Sequence, residues 1–165
     1  MADEIVTERL RLRRATMDDL AAIHALLGDP RNMRFWSTPP HDTLAQSEDW
    51  LRSMVEADPA ESDDFVIECD DRVIGKLGCW KLPEIGFMVG ADDCGRGVAA
   101  EAMAAFLDRR RKIGDPRRIT ADVDPRNLAS LRLLRRHGFV ETGRAKGTWT
   151  VGGEVCDSVY LALDL

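Results

Sequence analysis

The sequence has few of the residues that build metal sites, disulfide frameworks or membrane spans. Its 165 residues include only four cysteines and three histidines. The cysteines are Cys69, Cys79, Cys94 and Cys156; no two of them have C-x-x-C spacing, and no histidine cluster accompanies them. We therefore expect free thiols in a reducing cytoplasmic compartment, and no bound metal. No apolar run is long enough to cross a membrane, and the N-terminus lacks the apolar centre of a signal peptide.

An excess of positive charge is also missing. The chain has 23 lysines and arginines against 29 aspartates and glutamates, a formal net charge of -6. This balance argues against binding to nucleic acid through a basic surface, and it mildly favours a cationic substrate. With 165 residues, 44% of them hydrophobic, the chain is long enough to bury a core. We expect residues 1–165 to form a single domain.

Apolar periodicity in the first half predicts one strand, two helices and then three strands. Residues 5–13 alternate apolar and charged side chains, as in a half-buried strand. Thr16 caps the first predicted helix, and Asp42 or Thr43 caps the second. The dipeptide Asp70-Asp71 indicates the turn of a β-hairpin.

The pattern of the second half predicts alternating helices and strands. A helix follows the glycine-rich segment 91–103 and stops at Gly114. After one more strand, another helix begins near Asn127, and a terminal hairpin over residues 149–163 turns at Gly152-Gly153. The predicted order is β-α-α-β-β-β-α-β-α-β-β, an α/β (α+β) fold with a mixed central sheet flanked by about four helices.

The segment ADDCGRGVAAEAM, residues 91–103, has the pattern of an anion-binding loop. Gly95 and Gly97 allow the backbone to approach a ligand closely, and Arg96 adds positive charge. The helix that follows presents unpaired N–H groups at the positive end of its dipole, where phosphates bind. The alternative is a purely structural role, in which the glycines form a tight turn that binds no ligand. The G-K-[ST] sequence of a P-loop is missing, which excludes that class of nucleotide site.

A dinucleotide site remains a remote alternative. Residues 95–100 spell G-x-G-x-x-A, and Asp122 or Asp124 lies near the end of the next strand. Against this, residues 91–94 separate the strand from the first glycine, and they include two carboxylates. The chain is also too short for a doubly wound sheet. A third candidate ligand is the pyrophosphate of coenzyme A.

Four segments together resemble the GNAT superfamily of acyl-CoA-dependent N-acyltransferases over almost the whole chain. The sequence looks most like the branch that contains the ribosomal-protein N-terminal acetyltransferases. The segments are TERLRLR followed by ATMDDLAAI, then EIGFMVGADDCGRGVAAEAM, DPRNLASLRLLRRHGFVETG and DSVYLALDL. The resemblance implies an acetyl-CoA-dependent N-acetyltransferase that moves the acetyl group to a primary amine within a ternary complex. A homodimer is compatible with it, since members of the family are often dimers.

The resemblance also implies which residues bind acetyl-CoA. The family's pyrophosphate motif, Q/R-x-x-G-x-G/A, falls on residues 94–99, where Gly97 and Ala99 match and Cys94 replaces the usual Gln or Arg. Backbone N–H groups of this loop would hold the pyrophosphate, and Met88 and Val89 would pair with the pantetheine arm. The implied cofactor-binding residues are Met88, Val89, Cys94, Gly95, Arg96, Gly97, Val98, Ala99, Asn127 and Ser130.

Two residues are candidate catalysts. An amine is mostly protonated at neutral pH, so a base must remove a proton before attack. Glu84 begins the strand that leads into the glycine loop, where this branch often has a carboxylate base; otherwise it is an exposed strand-edge residue. Many family members have a tyrosine seven residues after the asparagine that acts as the general acid, and here that residue is Leu134. Ser130, three residues after Asn127, is the alternative acid, or an ordinary residue of a helix N-terminus.

The acceptor pocket is the least determined part of the site. Phe35, Trp36, Trp80 and Asp157 are candidate pocket residues, although aromatic side chains more often serve packing. The acceptor itself stays open between a protein N-terminus, a free amino acid, a polyamine and an antibiotic amine. A rival function is a non-catalytic acyl-CoA-binding or interaction module. The remaining polar candidates, His24 and His41, are expected on the surface.

Overall fold

A computed structural model describes residues 3–165 and contains one eight-stranded sheet with five helices. The strands are β1 (Glu4–Val6), β2 (Arg11–Arg13), β3 (Asp63–Cys69), β4 (Arg72–Lys81), β5 (Glu84–Val89), β6 (Arg118–Val123), β7 (Val140–Val151) and β8 (Glu154–Asp164). The helices are α1 (Leu20–Leu27), α2 (Pro30–Met33), α3 (Leu44–Val55), α4 (Val98–Ile113) and α5 (Leu128–Arg136). None of the helices in the described residues is long and apolar enough to cross a membrane.

The sheet is mixed, as the sequence predicts. Its strand order is β1-β2-β3-β4-β5-β6-β8-β7. Neighbouring strands are antiparallel except for β5 and β6, which are parallel. A parallel pair needs a crossover connection, and α4 supplies it. The glycine loop lies at the start of that crossover, so the fold places it beside the only parallel pair among the described strands.

Three boundaries differ from the prediction. The expected strand over residues 5–13 is two short strands, because the chain turns where the Thr7 N–H donates to the Leu10 carbonyl at 2.9 Å. A fifth helix, α2, begins at Pro30 after an Asp29 cap. The terminal hairpin is longer than expected, because β7 begins at Val140. For α2, a proline at the first helical position after an aspartate cap is a recognised helix-start signal. The neighbouring residues are rich in proline, and they obscured this signal.

The predicted cap of the second helix and the predicted turns are confirmed, whereas Thr16 caps a short 3-10 turn, Met17–Asp19, that leads into α1. The Thr43 side chain accepts from the Gln46 N–H, and the Gln46 side chain accepts in return, which is a capping box at the start of α3. Asp70 and Asp71 have φ values of 51° and 59°, as a tight hairpin turn between β3 and β4 requires. Gly114 ends α4 in the left-handed conformation with φ 77°.

The core lies on both faces of the sheet. Along β3, Phe65 and Ile67 pack with α4 on one face, while Val66 packs on the other face against α1 and α3. This alternation is the period of two that a strand imposes on its side chains. Phe65 meets Phe106 of α4 edge to face, with ring centroids 6.2 Å apart. Both faces of the central strands are therefore buried, and this packing on both sides holds β5 and β6 in position.

The expectation that His24 and His41 are surface residues is wrong. Both are half-buried, and both rings contact the hydroxyl of Ser47, which is completely buried on α3. The His24 Nδ1 lies 2.7 Å and the His41 Nδ1 2.9 Å from Ser47 Oγ. Ser47 thus joins α1, α3 and the segment between them. Single residues spaced this far apart give no periodic signal, so the sequence offered no reason to pair them.

Acidification is expected to destabilise the protein through His41. Burial, together with the nearby His24, lowers the pKa of His41. The unfolded chain then binds a proton more readily than the folded one, so stability is complete at about pH 7 and declines once the pH falls through the ordinary histidine pKa of about 6.5. Thermal melts between about pH 7 and pH 5 should show a smaller loss for His41→Asn than for the wild type. Equal acid-side slopes for the wild type and His41→Asn would contradict the assignment.

Candidate active site

A groove opens where β5 and β6 part. Their register consists of one pair, Glu84 with Thr120, supported by a 3.0 Å hydrogen bond from the Thr120 N–H to the Pro83 carbonyl. Beyond this pair β5 continues to Val89 and β6 to Val123, and both strands line cavities there. The separation leaves one backbone edge of β5 facing the groove, available to pair with an extended ligand.

The glycine loop has the geometry that an anion site needs. Gly95 and Gly97 have φ values of 80° and 74°, which side-chain-bearing residues adopt only with strain. Gly97 is the N-cap of α4, and no side chain caps the first turn of that helix. The free N–H groups of the 16-residue helix therefore point into the groove at the positive end of its dipole.

The two carboxylates of the loop are neutralised by arginines. Asp92 lies 3.0 Å from Arg31, and buried Asp93 lies 3.0 Å from Arg72 and 2.8 Å from Arg96. Two acidic residues beside a phosphate site are therefore no obstacle to anion binding. The same pairing turns the Arg96 side chain towards Asp93.

One half of the groove is cationic. It is a cavity of about 640 Å³ that includes the loop, the end of β5 and one side of α5. Among the described residues that line it, the charged side chains are four arginines and the neutralised Asp93. The arginines are Arg31, Arg34, Arg132 and Arg136. We call this part of the groove the cationic half.

Most residues expected to bind the cofactor lie in the cationic half. Those that line it are Met88, Val89, Cys94, Gly95, Gly97, Val98, Ala99, Asn127 and Ser130. Arg96 is not among the lining residues, because its side chain is held by Asp93. Its carbonyl accepts a 2.7 Å hydrogen bond from Arg9, which anchors the loop from outside the groove.

Cys94 stabilises the loop. Its Sγ donates to the Val89 carbonyl at 3.4 Å, which ties the loop to the end of β5. Burial and the neighbouring Asp93 raise the pKa of the Cys94 thiol. A thiol in this environment stays protonated and is a poor nucleophile. The substitution of the family's usual Gln or Arg thus leaves the loop tethered and introduces no activated cysteine.

The other half of the groove is acidic and aromatic. It is a second cavity of about 640 Å³ between the sheet, α3 and the β7–β8 hairpin. Among the described residues that line it are six carboxylates and all four tryptophans of the chain. These are Asp64, Glu84, Asp122, Asp124, Glu154 and Asp157, with Trp36, Trp50, Trp80 and Trp149. The predicted pocket residues Phe35, Trp36, Trp80 and Asp157 all lie in this acidic half.

The two halves meet at a shared set of residues. Asn127 and Ser130 line both cavities, as do Phe87 of β5 and Phe35. The Asn127 side chain accepts from the Ser130 N–H at 3.2 Å and so begins α5. This cap fixes the Asn127 side chain and the backbone of Ser130 at the junction.

Glu84 lies in the acidic half, at the point where β5 and β6 separate. Burial raises the pKa of this carboxyl, the nearby negative charge of Asp122 raises it further, and a hydrogen bond from Trp80 acts against both. A carboxylate with a raised pKa is a stronger base than an exposed one. The position and the environment are those of a proton acceptor.

The sequence interpretation missed a buried ion pair in the acidic half. Lys76 Nζ lies 2.8 Å from Asp64 Oδ1, and both side chains are less than a tenth exposed. The lysine also donates to the Gly86 carbonyl on β5 at 3.4 Å. The signal that could have revealed the pair is a charged residue inside an apolar strand on each of two neighbouring strands, β3 and β4, since buried charges require partners.

Comparisons with known proteins agree with this arrangement. Residues 9–140 match the family model described as "Acetyltransferase (GNAT) domain". The chain therefore belongs to the GNAT family of acetyltransferases, and it is an N-acetyltransferase that uses acetyl-CoA.

Individual relatives are distant but cover the full length. The uncharacterized N-acetyltransferase p20 of Bacillus licheniformis is 26% identical, over 96% of this chain and 94% of the relative. The ribosomal-protein acetyltransferase RimL in complex with coenzyme A has a TM-score of 0.87 at 20% identity, covering 98% of each chain. The spermidine N-acetyltransferase of Vibrio cholerae, in complex with CoA and spermine, has a TM-score of 0.82 at 21% identity, covering 96% of each. These structures establish a shared fold.

Proposed function

We propose that the protein transfers an acetyl group from acetyl-CoA directly to a primary amine while both are bound in the groove. The observation that supports this most strongly is the opposite charge of the two halves. A cationic half built around a helix N-terminus suits the phosphates of a coenzyme, and an acidic half suits an ammonium group. Asn127 and Ser130 lie where the two substrates would meet.

The cationic half supplies the binding of the coenzyme. In the proposal, backbone N–H groups of residues 95–99 hold the pyrophosphate, and the free edge of β5 at Met88 and Val89 pairs with the pantetheine arm. Arg31 is paired with Asp29 and Asp92, and Arg34 with Glu154, so Arg132 and Arg136 supply the charge complementarity for the remaining phosphate. Bound there, the coenzyme supplies an activated thioester.

Glu84 is the proposed general base. It takes a proton from the ammonium group, so that the nitrogen lone pair can attack the thioester carbonyl carbon. The backbone N–H near Val89 stabilises the negative charge on the carbonyl oxygen. As the carbon–sulfur bond breaks, the Ser130 hydroxyl, at the junction of the halves, passes its proton to the leaving thiolate and takes up the excess proton that remains on the former amine nitrogen, so that the products are the amide, the CoA thiol and protonated Glu84. No covalent bond to the protein is required, and the protonated Cys94 thiol is unsuited to form one.

Calorimetry and a thiol-release assay together distinguish two other functions. A non-catalytic acyl-CoA-binding module would bind acetyl-CoA without turnover, and a dinucleotide-binding protein would bind NADH. We expect acetyl-CoA to bind and NADH to give no heat. The amine is proposed from chemistry alone, and both a peptide amine, as for RimL, and a polyamine, as for the Vibrio cholerae enzyme, fit an acidic pocket.

Gly95→Ala is expected to weaken acetyl-CoA binding about fivefold to thirtyfold, because a left-handed alanine costs about 1–2 kcal/mol and the loop must shift to relieve it. The space around the glycine is open, so strain and not a clash is the cause. Gly114→Ala is the matched control: it has a similar φ of 77° at the opposite end of α4. The control should lose stability without losing affinity. Equal acetyl-CoA dissociation constants for the two variants would contradict a role of the loop in binding.

A further inference from the structure

The acidic half holds more negative charge than the proposed reaction needs. Three of its six carboxylates have cationic partners: Asp64 pairs with Lys76, while Asp124 and Glu154 both pair with Arg126. The other three form no ion pair among the described residues, and they are Glu84, Asp122 and Asp157. Glu84 is the proposed base, so two uncompensated carboxylates remain.

These two carboxylates line the same cavity as Trp149, and each accepts a hydrogen bond from a residue of β7. Trp149 of β7 donates its indole N–H to Asp122 Oδ2 on β6 at 3.1 Å. Its backbone pairs with Cys156 on β8, next to Asp157. Asp157 itself accepts from the Gly147 N–H at 2.8 Å. We call Asp122, Trp149 and Asp157 the second-cation subsite.

The aromatic side chains of this half favour a cation with an apolar body. Trp80 and Trp149 are 53% and 45% exposed, although burying a tryptophan side chain is strongly favourable. Exposed indole faces next to unpaired carboxylates attract ammonium groups through cation–π contacts. A cavity of about 640 Å³ also has the size of a site for a ring-containing ligand, and a short linear chain would leave much of it unfilled.

We propose that the acceptor is a dicationic amine with an apolar, ring-sized body, and that the second-cation subsite binds the ammonium group that does not react. This inference rests on the proposed function, since it assigns the reacting amine to Glu84. It also disfavours acceptors with a negative group near the amine, such as free amino acids, because two unpaired carboxylates repel them.

Three probes that differ in one substituent test the proposal. They are para-xylylenediamine, para-methylbenzylamine and para-(aminomethyl)benzoate, with a cationic, neutral or anionic group opposite the same reactive amine. Because all four tryptophans line the acidic half, intrinsic tryptophan fluorescence reports binding without turnover. We expect the diamine to bind about tenfold or more tightly than the methyl compound, and the benzoate to bind most weakly.

Variants locate the second charge. Asp122→Asn and Asp157→Asn should each reduce the preference for the diamine over the methyl compound, and the double variant should abolish it. Asp157→Asn should leave the affinity for the methyl compound little changed. Asp108→Asn is the matched control, since Asp108 is exposed on α4 away from the acidic half. It should keep the full preference.

The outcomes separate this inference from the proposed function. Equal binding of the diamine and the methyl compound, or a preference that survives in the double variant, would overturn the subsite even if acetyl transfer occurs. Tight, Asp122-dependent diamine binding without thiol release from bound acetyl-CoA would support the subsite and overturn the proposed catalysis. Raising the salt concentration should reduce the diamine preference, because the discrimination is electrostatic.

Discussion

Replacing Glu84 with glutamine is expected to lower kcat about 10²- to 10⁴-fold, the usual contribution of a general base. Glutamine keeps the shape and hydrogen-bonding capacity of the side chain but cannot accept the ammonium proton. The residue lies in the acidic half and outside the cationic half, so acetyl-CoA affinity should change by less than about twofold. Steady-state rates combined with calorimetric titration of each variant measure the two effects separately. Glu8→Gln is the control, because Glu8 is an exposed carboxylate that lines neither cavity.

The pH profile tests the same assignment independently. Because burial and Asp122 raise the pKa of Glu84, wild-type kcat should rise with pH through a pKa above the ordinary glutamate value. In Asp122→Asn the repulsion is gone, and the acidic limb should move to lower pH. An unchanged limb in Asp122→Asn, or unchanged kcat in Glu84→Gln, would remove Glu84 from the mechanism.

Removing Asp63 is expected to cost about 3–5 kcal/mol of unfolding free energy, the usual cost of breaking a buried ion pair. This carboxylate is 4% exposed and receives three arginines: Arg14 at 2.9 Å, Arg109 at 3.2 Å and Arg110 at 2.9 Å. Asp63→Ala would leave three guanidinium groups without their shared anion. Urea denaturation measures the loss, and Asp63→Asn, which keeps an acceptor oxygen, should lose less.

Acidification should also lower the unfolding free energy of the wild-type protein, because it protonates Asp63. Burial alone would raise the pKa of Asp63, but hydrogen bonds from Arg109, Arg110 and Arg14 outweigh it and hold the pKa below its ordinary value. Its contribution to stability is therefore present above the unfolded pKa and is lost as the pH falls through the folded value.

Asp108→Ala, which removes an exposed partner of Arg111, is the control for Asp63→Ala and should change stability by less than about 0.5 kcal/mol. Similar losses for Asp63→Ala and Asp108→Ala would contradict the account of this cluster.

The sequence predicted those parts of the fold that depend on local signals. The capping residue Thr43, the Asp70-Asp71 turn and the stop at Gly114 are all governed by residues within four positions, and all are confirmed. The short helix at Pro30 and the split of the first strand were missed. Elements of three or four residues are too short for a periodic pattern, so tertiary contacts decide them.

The candidate site also has features that local residues determine and features that depend on tertiary contacts. The glycine loop could be located because positive φ values require glycine at Gly95 and Gly97. The charge of the groove could not be predicted, because it depends on which carboxylates have partners far away in the sequence. Lys76 neutralises Asp64 across two strands, whereas the one side-chain hydrogen-bond partner of Asp122 within residues 3–165 is the indole of Trp149. Such pairings exist only once the sheet has formed.

The most direct test follows both products of the reaction in one sample. The protein is mixed with acetyl-CoA and a primary amine, with para-xylylenediamine as the first amine and a peptide N-terminus as the second. Free CoA thiol is measured together with the acetylated amine. The account predicts that the two products appear in equal amounts, only when both substrates are present, and that rate plots at varied concentrations intersect, as for a ternary complex. Acetyl-CoA that binds but releases no thiol with either amine would contradict catalysis, and parallel plots with an acetylated protein would contradict direct transfer.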